Sequence, residues 1–267
     1  MESAVIVKLG GSVITDKSRE CTPDLNSIYL AAEDVASYHR PLILLHGGGS
    51  YAHPFAMRAG LQYGFKGKSQ LRSISETELH LDELTRIIGV SLLLRGKQFV
   101  PIKPMSFITL RDGRVGKYFI RPIINALRLG LVPLIHGDIA FDETKGCGIV
   151  SADRIASLLG ERLDVSRVLF GCDVDGVYTR NPKISGEAEL IKDVSRKNHL
   201  EVLKALKKTP SSDATGSMFG KVTEAIRLAR SGCTCYIFNL RREHALRDAL
   251  NGTMLRGTIF PPWRTPR

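Results

Sequence analysis

The sequence predicts an α/β protein, a three-layer sandwich with a mainly parallel central sheet and helices on both faces. Short apolar runs alternate with amphipathic stretches along almost the whole chain, two of the early runs end in glycine clusters, and no internal repeat or low-complexity segment interrupts the alternation. In such sheets ligands sit beyond the carboxyl ends of the strands, and the glycines fall there.

The first run, Ala4 to Leu9, is rich in β-branched residues and carries Lys8 just before Gly10-Gly11. A loop containing Thr15-Asp-Lys-Ser-Arg follows, then a helix from about Asp24 to His39, its acidic residue placed in the first turn and its end enforced by Pro41. Leu42 to Leu45 read as a second buried strand ending at His46. Gly47 to Gly49 then leave bare backbone N–H groups where a short helix, about Ala52 to Gly60, begins; that is anion-binding geometry. Two such strand ends side by side would form a phosphate cradle. Gln62 to Gln70 is a polar, glycine-bearing loop. Ser75-Glu-Thr-Glu opens a long amphipathic helix to Arg95, with Leu79, Leu84, Ile87, Ile88, Ser91 and Leu92 along one side; it serves lobe packing or a dimer surface. Asp112-Gly113, between Phe99–Leu110 and Val115–Ile120, marks a tight hairpin. A helix from about Pro122 to Leu129 precedes the strand that ends at His136-Gly137-Asp138, and Ser151 caps a helix over Arg154–Glu161. The rest reads as a strand at Arg167–Gly171, a loop from Cys172 to Pro182, a polar run from Thr209 to Gly216, a helix over Ser217–Ser231, a strand at Thr234–Asn239, a helix over Glu243–Leu250 and a last strand near Gly257–Phe260.

At 267 residues, 43% apolar and 24% charged, the chain can bury a large core in one domain or two lobes. The cysteines, Cys21, Cys147, Cys172, Cys233 and Cys235, are odd in number and lack CxxC spacing, which argues against a disulfide framework and a zinc site. No basic leader precedes an apolar segment and no run is long enough to span a bilayer; a cytoplasmic protein without a membrane partner is expected. Lys and Arg exceed Asp and Glu by 38 − 27 = 11, a balance suited to nucleic acid or to polyanionic small substrates. The densest basic cluster, around Arg241-Arg242, has no interleaved aromatics, so no nucleic-acid partner is expected. Gly216 and Gly220 are spaced wrongly for a Walker A loop, and Val222 stands where that loop needs a hydroxyl. Asp173-Val-Asp-Gly lacks EF-hand spacing.

Lys8-Leu-Gly-Gly-Ser12, His46-Gly-Gly-Gly-Ser50, Gly171-Cys-Asp-Val-Asp-Gly-Val-Tyr178, Asn181-Pro182 and Asp213-Ala-Thr-Gly-Ser-Met-Phe-Gly-Lys221 together resemble the amino acid kinase superfamily, over nearly the whole chain and in the family's order. Within it, Gly10 to Lys17 and Gly49 to Phe55 resemble the isopentenyl phosphate kinases, which carry a Lys in the first loop and a His after the glycines. The resemblance implies the amino acid kinase fold, ATP-dependent phosphorylation of isopentenyl phosphate to isopentenyl diphosphate in isoprenoid synthesis, Mg2+ entering with the nucleotide and no protein-built metal site, and a homodimer. It implies an acceptor and dimer lobe over about 1–163 and a nucleotide lobe over about 164–267.

It further implies Lys8, Lys17, His53 and Lys221 as catalytic groups. Lys8, Gly10, Gly11, Ser12, Gly49, Asp173, Tyr178, Gly216 and Lys221 would line the nucleotide side; Gly47, Gly48, His53, Gly137, Asp138 and Asp153 would line the acceptor side. Asp138 and Asp153 could hold acceptor groups, orient a lysine, bind magnesium through water or serve only as turn and helix-start carboxylates. The acceptor's apolar part would lie against Tyr51, Phe55, Met57 and Leu79. His46 and His136 are not expected to act in catalysis. A phosphate monoester is mostly dianionic at neutral pH, its second pKa being about 6, so the nucleophile needs no general base and catalysis is positioning and charge stabilisation. The alternatives are another small-molecule kinase of the superfamily, or a basic nucleic-acid-binding protein that has kept the fold.

Overall fold

The computed structural model describes residues 2–182, 187–208, 218–253 and 256–264. In chain order the elements are β1 (Ala4–Leu9), α1 (Gly11–Ile14), α2 (Leu25–Ala36), β2 (Leu42–His46), α3 (His53–Arg58), α4 (Leu71–Leu93), β3 (Phe99–Pro101), β4 (Ile108–Arg111), β5 (Arg114–Tyr118), α5 (Arg121–Arg128), β6 (Val132–His136), β7 (Asp138–Asp142), β8 (Gly146–Val150), α6 (Ala152–Arg162), β9 (Val165–Cys172), β10 (Val177–Tyr178), β11 (Leu190–Ile191), α7 (His199–Lys208), α8 (Met218–Ser231), β12 (Thr234–Asn239), α9 (Ala245–Asn251) and β13 (Thr258–Phe260).

The central sheet runs β13-β12-β9-β1-β2-β6-β3. Its strands pair in parallel except for β13, which lies antiparallel on β12. Strand β1 sits in the middle, and Val5, Ile6 and Val7 have no exposed surface, which is why the run is apolar without alternation. Side chains still alternate between two layers. Ile6, Ile43, Leu45, Phe170 and Ile237 pack with Ile155, Leu159, Val222 and Ile226 of α6 and α8. Val5, Val7, Leu44, Leu169 and Phe238 pack with Ile28, Val35, Leu84, Ile88 and Leu246 of α2, α4 and α9. The three-layer, mainly parallel expectation holds. Lys8 shares the parity of Ile6, so its side chain enters the layer of α6 and α8.

A second sheet, β5-β4-β7-β8, stands beside the first. Its β4–β5 hairpin turns at Asp112 (φ 51) and Gly113 (φ 73), the doubly positive turn that Asp-Gly favours. The Asp142 carboxylate clasps this turn to the β7–β8 turn, accepting from the amides of Asp112 (3.1 Å), Gly113 (2.6 Å), Thr144 (2.9 Å) and Lys145 (2.9 Å).

Several boundaries differ from expectation. The run from Phe99 to Leu110 divides: Phe99–Pro101 edges the main sheet and Ile108–Arg111 joins the second, because Pro101 and Pro104 cannot continue a ladder. Helix α4 begins at Leu71 rather than Ser75, and its phase exposes Leu79 (66%) while burying Leu81. The β7–β8 hairpin, α7 and the β10–β11 pair were not anticipated. Ser151 does cap α6, accepting from the Arg154 amide at 3.2 Å. Among the described residues, no helix is long and apolar enough to cross a membrane.

Candidate active site

A cavity of about 510 Å³ opens where β1, β2, β6 and β9 end, and it brings together Lys8, Gly10, Gly11, Ser12, Lys17, Gly47, Gly48, Gly49, His53, Gly137, Asp153, Asp173, Tyr178 and Lys221. Gly216 lies outside the described residues. Asp138 opens β7 directly after Gly137.

At the centre, one carboxylate holds two ammonium groups. Asp153, in the first turn of α6, lies 3.0 Å from Lys8 Nζ through Oδ1, and accepts from Lys221 Nζ on both oxygens, at 3.1 and 3.0 Å. All three residues are buried. Asp153 therefore contacts both lysines at once. Burial pulls Lys8 down to about 8; Asp153 resists this and the neighbouring Lys221 adds to it. Lys221 moves the other way: burial opposes its charge, but the attraction of Asp153 outweighs burial and carries it above its ordinary value. Lys221 donates to both carboxylate oxygens. Burial likewise opposes the charge on Asp153, and Lys221 and Lys8 together hold it well below the usual carboxylate range. Two cations share one anion, so the cluster carries surplus positive charge at the sheet's edge.

The glycine turns differ in one respect from expectation. The parallel ladder runs one residue past β2 and β6: Gly47 donates its N–H to Leu9 O at 3.0 Å, and Gly137 donates to His46 O at 3.0 Å. Those two amides are not bare, although both residues line the cavity. Among the described residues, the amides of Gly11, Ser12, Gly48 and Gly49 have no protein acceptor. The turns abut directly, since a Cβ on Gly11 would stand 2.6 Å from Gly49 N.

On the side of His53, the first residue of α3, the cavity is walled by Ala52, Ala56, Met57, Leu81, Ile139 and Ile149. Only Met57 of the four expected apolar residues is there. Tyr51 is buried in the core, Phe55 stacks on His80 with ring centroids 4.4 Å apart, and Leu79 faces solvent. Ile139 and Ile149 went unrecognised because their hairpin has no Asn-Gly or Asp-Gly turn to announce it; the helical spacing from Thr77 to Leu81 could have found Leu81. Val174, Leu206, Met218 and Phe219 line the cavity as well, together with Asp173 and Tyr178. Tyr178 donates its hydroxyl to Asp175 at 3.2 Å, and Asp175 also receives Arg242, Arg256 and Asn239.

His46 and His136 are register partners behind the cavity, with ring centroids 5.8 Å apart. Burial, reinforced by the neighbouring His136, pushes His46 down to about 3, and its Nε2 meets Thr85 Oγ1 at 3.0 Å. It is neutral at physiological pH.

A parallel sheet that ends in two interlocked glycine turns, beside surplus buried ammonium charge, defines a phosphate-handling α/β protein. The chain belongs to the amino acid kinase family, whose profile matches residues 3–239. It is 33% identical over 262 residues to the isopentenyl phosphate kinase of Methanothermobacter thermautotrophicus, an alignment covering 95% of this chain and 97% of that protein. Among solved structures, an X-ray structure of isopentenyl phosphate kinase superposes with a TM-score of 0.83 at 31% identity, covering 96% of this chain and 99% of the other. A substrate complex of isopentenyl phosphate kinase superposes at 0.74 and 26% identity, covering 96% and 99%.

Proposed function

We infer that the chain transfers the γ-phosphoryl group of ATP to isopentenyl phosphate, giving isopentenyl diphosphate for isoprenoid synthesis. The observation that carries this reading is one cavity lined together by the Lys8–Asp153–Lys221 cluster, by His53 with aliphatic side chains, and by Asp173 with Tyr178. His53 with its aliphatic neighbours suits a phosphate monoester with a short hydrocarbon tail; the group around Asp173 and Tyr178 suits a nucleotide. Residues up to about 163 supply the acceptor side and those from about 164 the nucleotide side, apart from the β1 turn, which serves both. The enzyme works in the cytoplasm as a homodimer.

In this reading Lys8, Lys221 and the amides of Gly11 and Ser12 hold the transferring phosphoryl group. The amides of Gly48 and Gly49, with His53, hold the acceptor phosphate, so that Gly49, expected on the nucleotide side, serves the acceptor, and Lys17 approaches from the first loop. The acceptor dianion attacks without a base. The chain's part is to bring two polyanions in line and to offset the charge gathering between them. The donor set fits Mg2+ as a companion of the polyphosphate: Asp153 is committed to two lysines, and among the described residues no group of three His, Cys, Asp or Glu side chains could hold a metal. When bound with ATP, Mg2+ would neutralise charge on its phosphate oxygens. A coupled assay of ADP release against a panel of monophosphates tests the reading. Isopentenyl phosphate should be the best acceptor, and a nucleoside monophosphate outrunning it would overturn the assignment.

A further inference from the structure

Two hydrogen bonds meet on one hydroxyl where the turns after β1 and β2 touch. Thr15 is 1% exposed and follows α1. Its Oγ1 donates to Gly11 O at 2.7 Å and accepts from Ser50 N at 3.0 Å. Gly11 belongs to the first turn and Ser50 to the second. Between them Gly49 has φ +52, and a Cβ there would stand 2.1 Å from Thr15 Oγ1. Glycine at 49 is therefore what admits the hydroxyl. The loop that carries Lys17 is tied to the same point, because Ser50 O accepts from Cys21 N at 3.2 Å and Ser50 Oγ accepts from Thr22 N at 3.3 Å. Thr15 does not line the cavity that holds Lys8 and Lys221.

We propose that Thr15 is a positioning residue whose hydroxyl sets the spacing between the turn that holds the transferring phosphoryl group and the turn that holds the acceptor. The proposal rests on the reading of those turns given above. Phosphoryl transfer depends on positioning more than on covalent help from the protein. Reacting atoms must lie about 3–3.5 Å apart, and a misplacement of about 1 Å costs roughly 10²-fold in rate. Each turn can bind its own phosphate with the latch broken, but the distance between the two phosphates is then no longer fixed.

The test compares Thr15→Val, which removes both bonds at nearly constant volume, with Thr15→Ser, which keeps the hydroxyl. The acceptor is whichever monophosphate the wild-type chain phosphorylates fastest, so failure of the isopentenyl phosphate reading leaves this comparison standing. For Thr15→Val, kcat should fall roughly 10- to 100-fold while the Kd values for ATP and acceptor, each measured alone, stay within about twofold. Thr15→Ser should recover most of kcat. Amide exchange at Ser50, read without substrate, should be faster in Thr15→Val than in Thr15→Ser. An unchanged kcat, equal exchange at Ser50, or Kd values that weaken in step with kcat and are not rescued by Ser would each overturn the proposal. If Thr15→Val does not fold, Thr15→Ala is read by the same criteria; if neither folds, the hydroxyl serves stability and the proposal fails.

Discussion

Replacing Asp153 by Asn keeps the side chain's volume and one acceptor oxygen but leaves two buried ammonium groups facing each other. One of them can escape by releasing a proton, which for Lys8, already at about 8, costs about 1.4 kcal/mol at pH 7. Breaking a buried ion pair by removing one partner costs about 3–5 kcal/mol, and that sets the scale of the loss. In a chain of this size such a loss lowers Tm by roughly 10 °C. The sign with pH is fixed. The folded-state pKa of Asp153 is depressed, so its contribution is complete above the unfolded carboxylate value of about 3.9 and is lost only as pH falls through the folded value. The Asp153 part of the Tm difference should therefore be complete at neutral pH and be lost only in strong acid, while the proton that Lys8 gives up in the variant makes the difference grow as pH falls from neutral until that amine recharges. The rate should fall as well, because Lys8, already drawn down to about 8 with Asp153 present, goes lower without it and is neutral at pH 7. Lowering the pH should then restore some rate to the variant and none to wild type. Scanning calorimetry and a pH–rate profile of both proteins read this directly. A variant that melts with wild type, or whose pH–rate profile superposes on it, would refute the account of the cluster.

In the wild type, kcat/KM for ATP should decline above about pH 8, because Lys8 in the free enzyme sheds its proton there; a flat profile to pH 9.5 would remove Lys8 from the phosphate site. Lys8→Ala and Lys221→Ala should each lower kcat by about 10²–10³-fold with the fold intact by circular dichroism, and near-normal turnover in either would sink its assignment. His53→Ala should lose most activity with isopentenyl phosphate at unchanged ATP affinity, and His53→Gln or His53→Asn should regain part of it through the retained N–H donor; parallel loss of ATP binding would move His53 off the acceptor side. Chelating Mg2+ should abolish turnover without shifting the melting temperature of the nucleotide-free protein, and a large fall in Tm would reveal a resident metal.

Where one physical rule governed an element, the sequence displayed it. The β-branched run at Ala4–Leu9 has to be apolar on both faces because it lies mid-sheet, so a buried parallel strand could be read from composition alone. Asp112-Gly113 could be read because only a few residue pairs accept positive φ twice in succession. The β7–β8 hairpin could not: its strands carry few β-branched residues, and its turn, Glu143-Thr-Lys-Gly146, has no Asn-Gly or Asp-Gly pair and is held by the Asp142 carboxylate, locally through Thr144 and Lys145 and at a distance through Gly113. Ile139 and Ile149, which line the cavity, went unread with it. Leu79 was misread for a related reason: helical spacing fixes which residues share a face, but only packing against β7 and the second glycine turn decides that Leu81 faces the cavity.

The site itself was legible in its charges and less so in its backbone. A lysine ending an apolar strand has no structural excuse, and Lys8 sits where that argument puts it. A glycine, by contrast, does not say which partner requires it. Ser151-Ala-Asp, which follows the β8 strand into α6, illustrates this. Ala152 N lies only 2.7 Å from where a Cβ on Gly137 would stand, so the close approach between the β6 turn and the start of α6 is secured from the Gly137 side. The methyl of Ala152 is buried at the cavity wall, and Asp153 still reaches both lysines. Gly137→Ala should therefore be damaging because its Cβ meets backbone that cannot yield, whereas Ala152→Gly should lose little beyond helix propensity, about 1 kcal/mol. Thermal melts and kcat of the pair measure this directly; equal tolerance of both changes would mean that the approach is not set by Gly137.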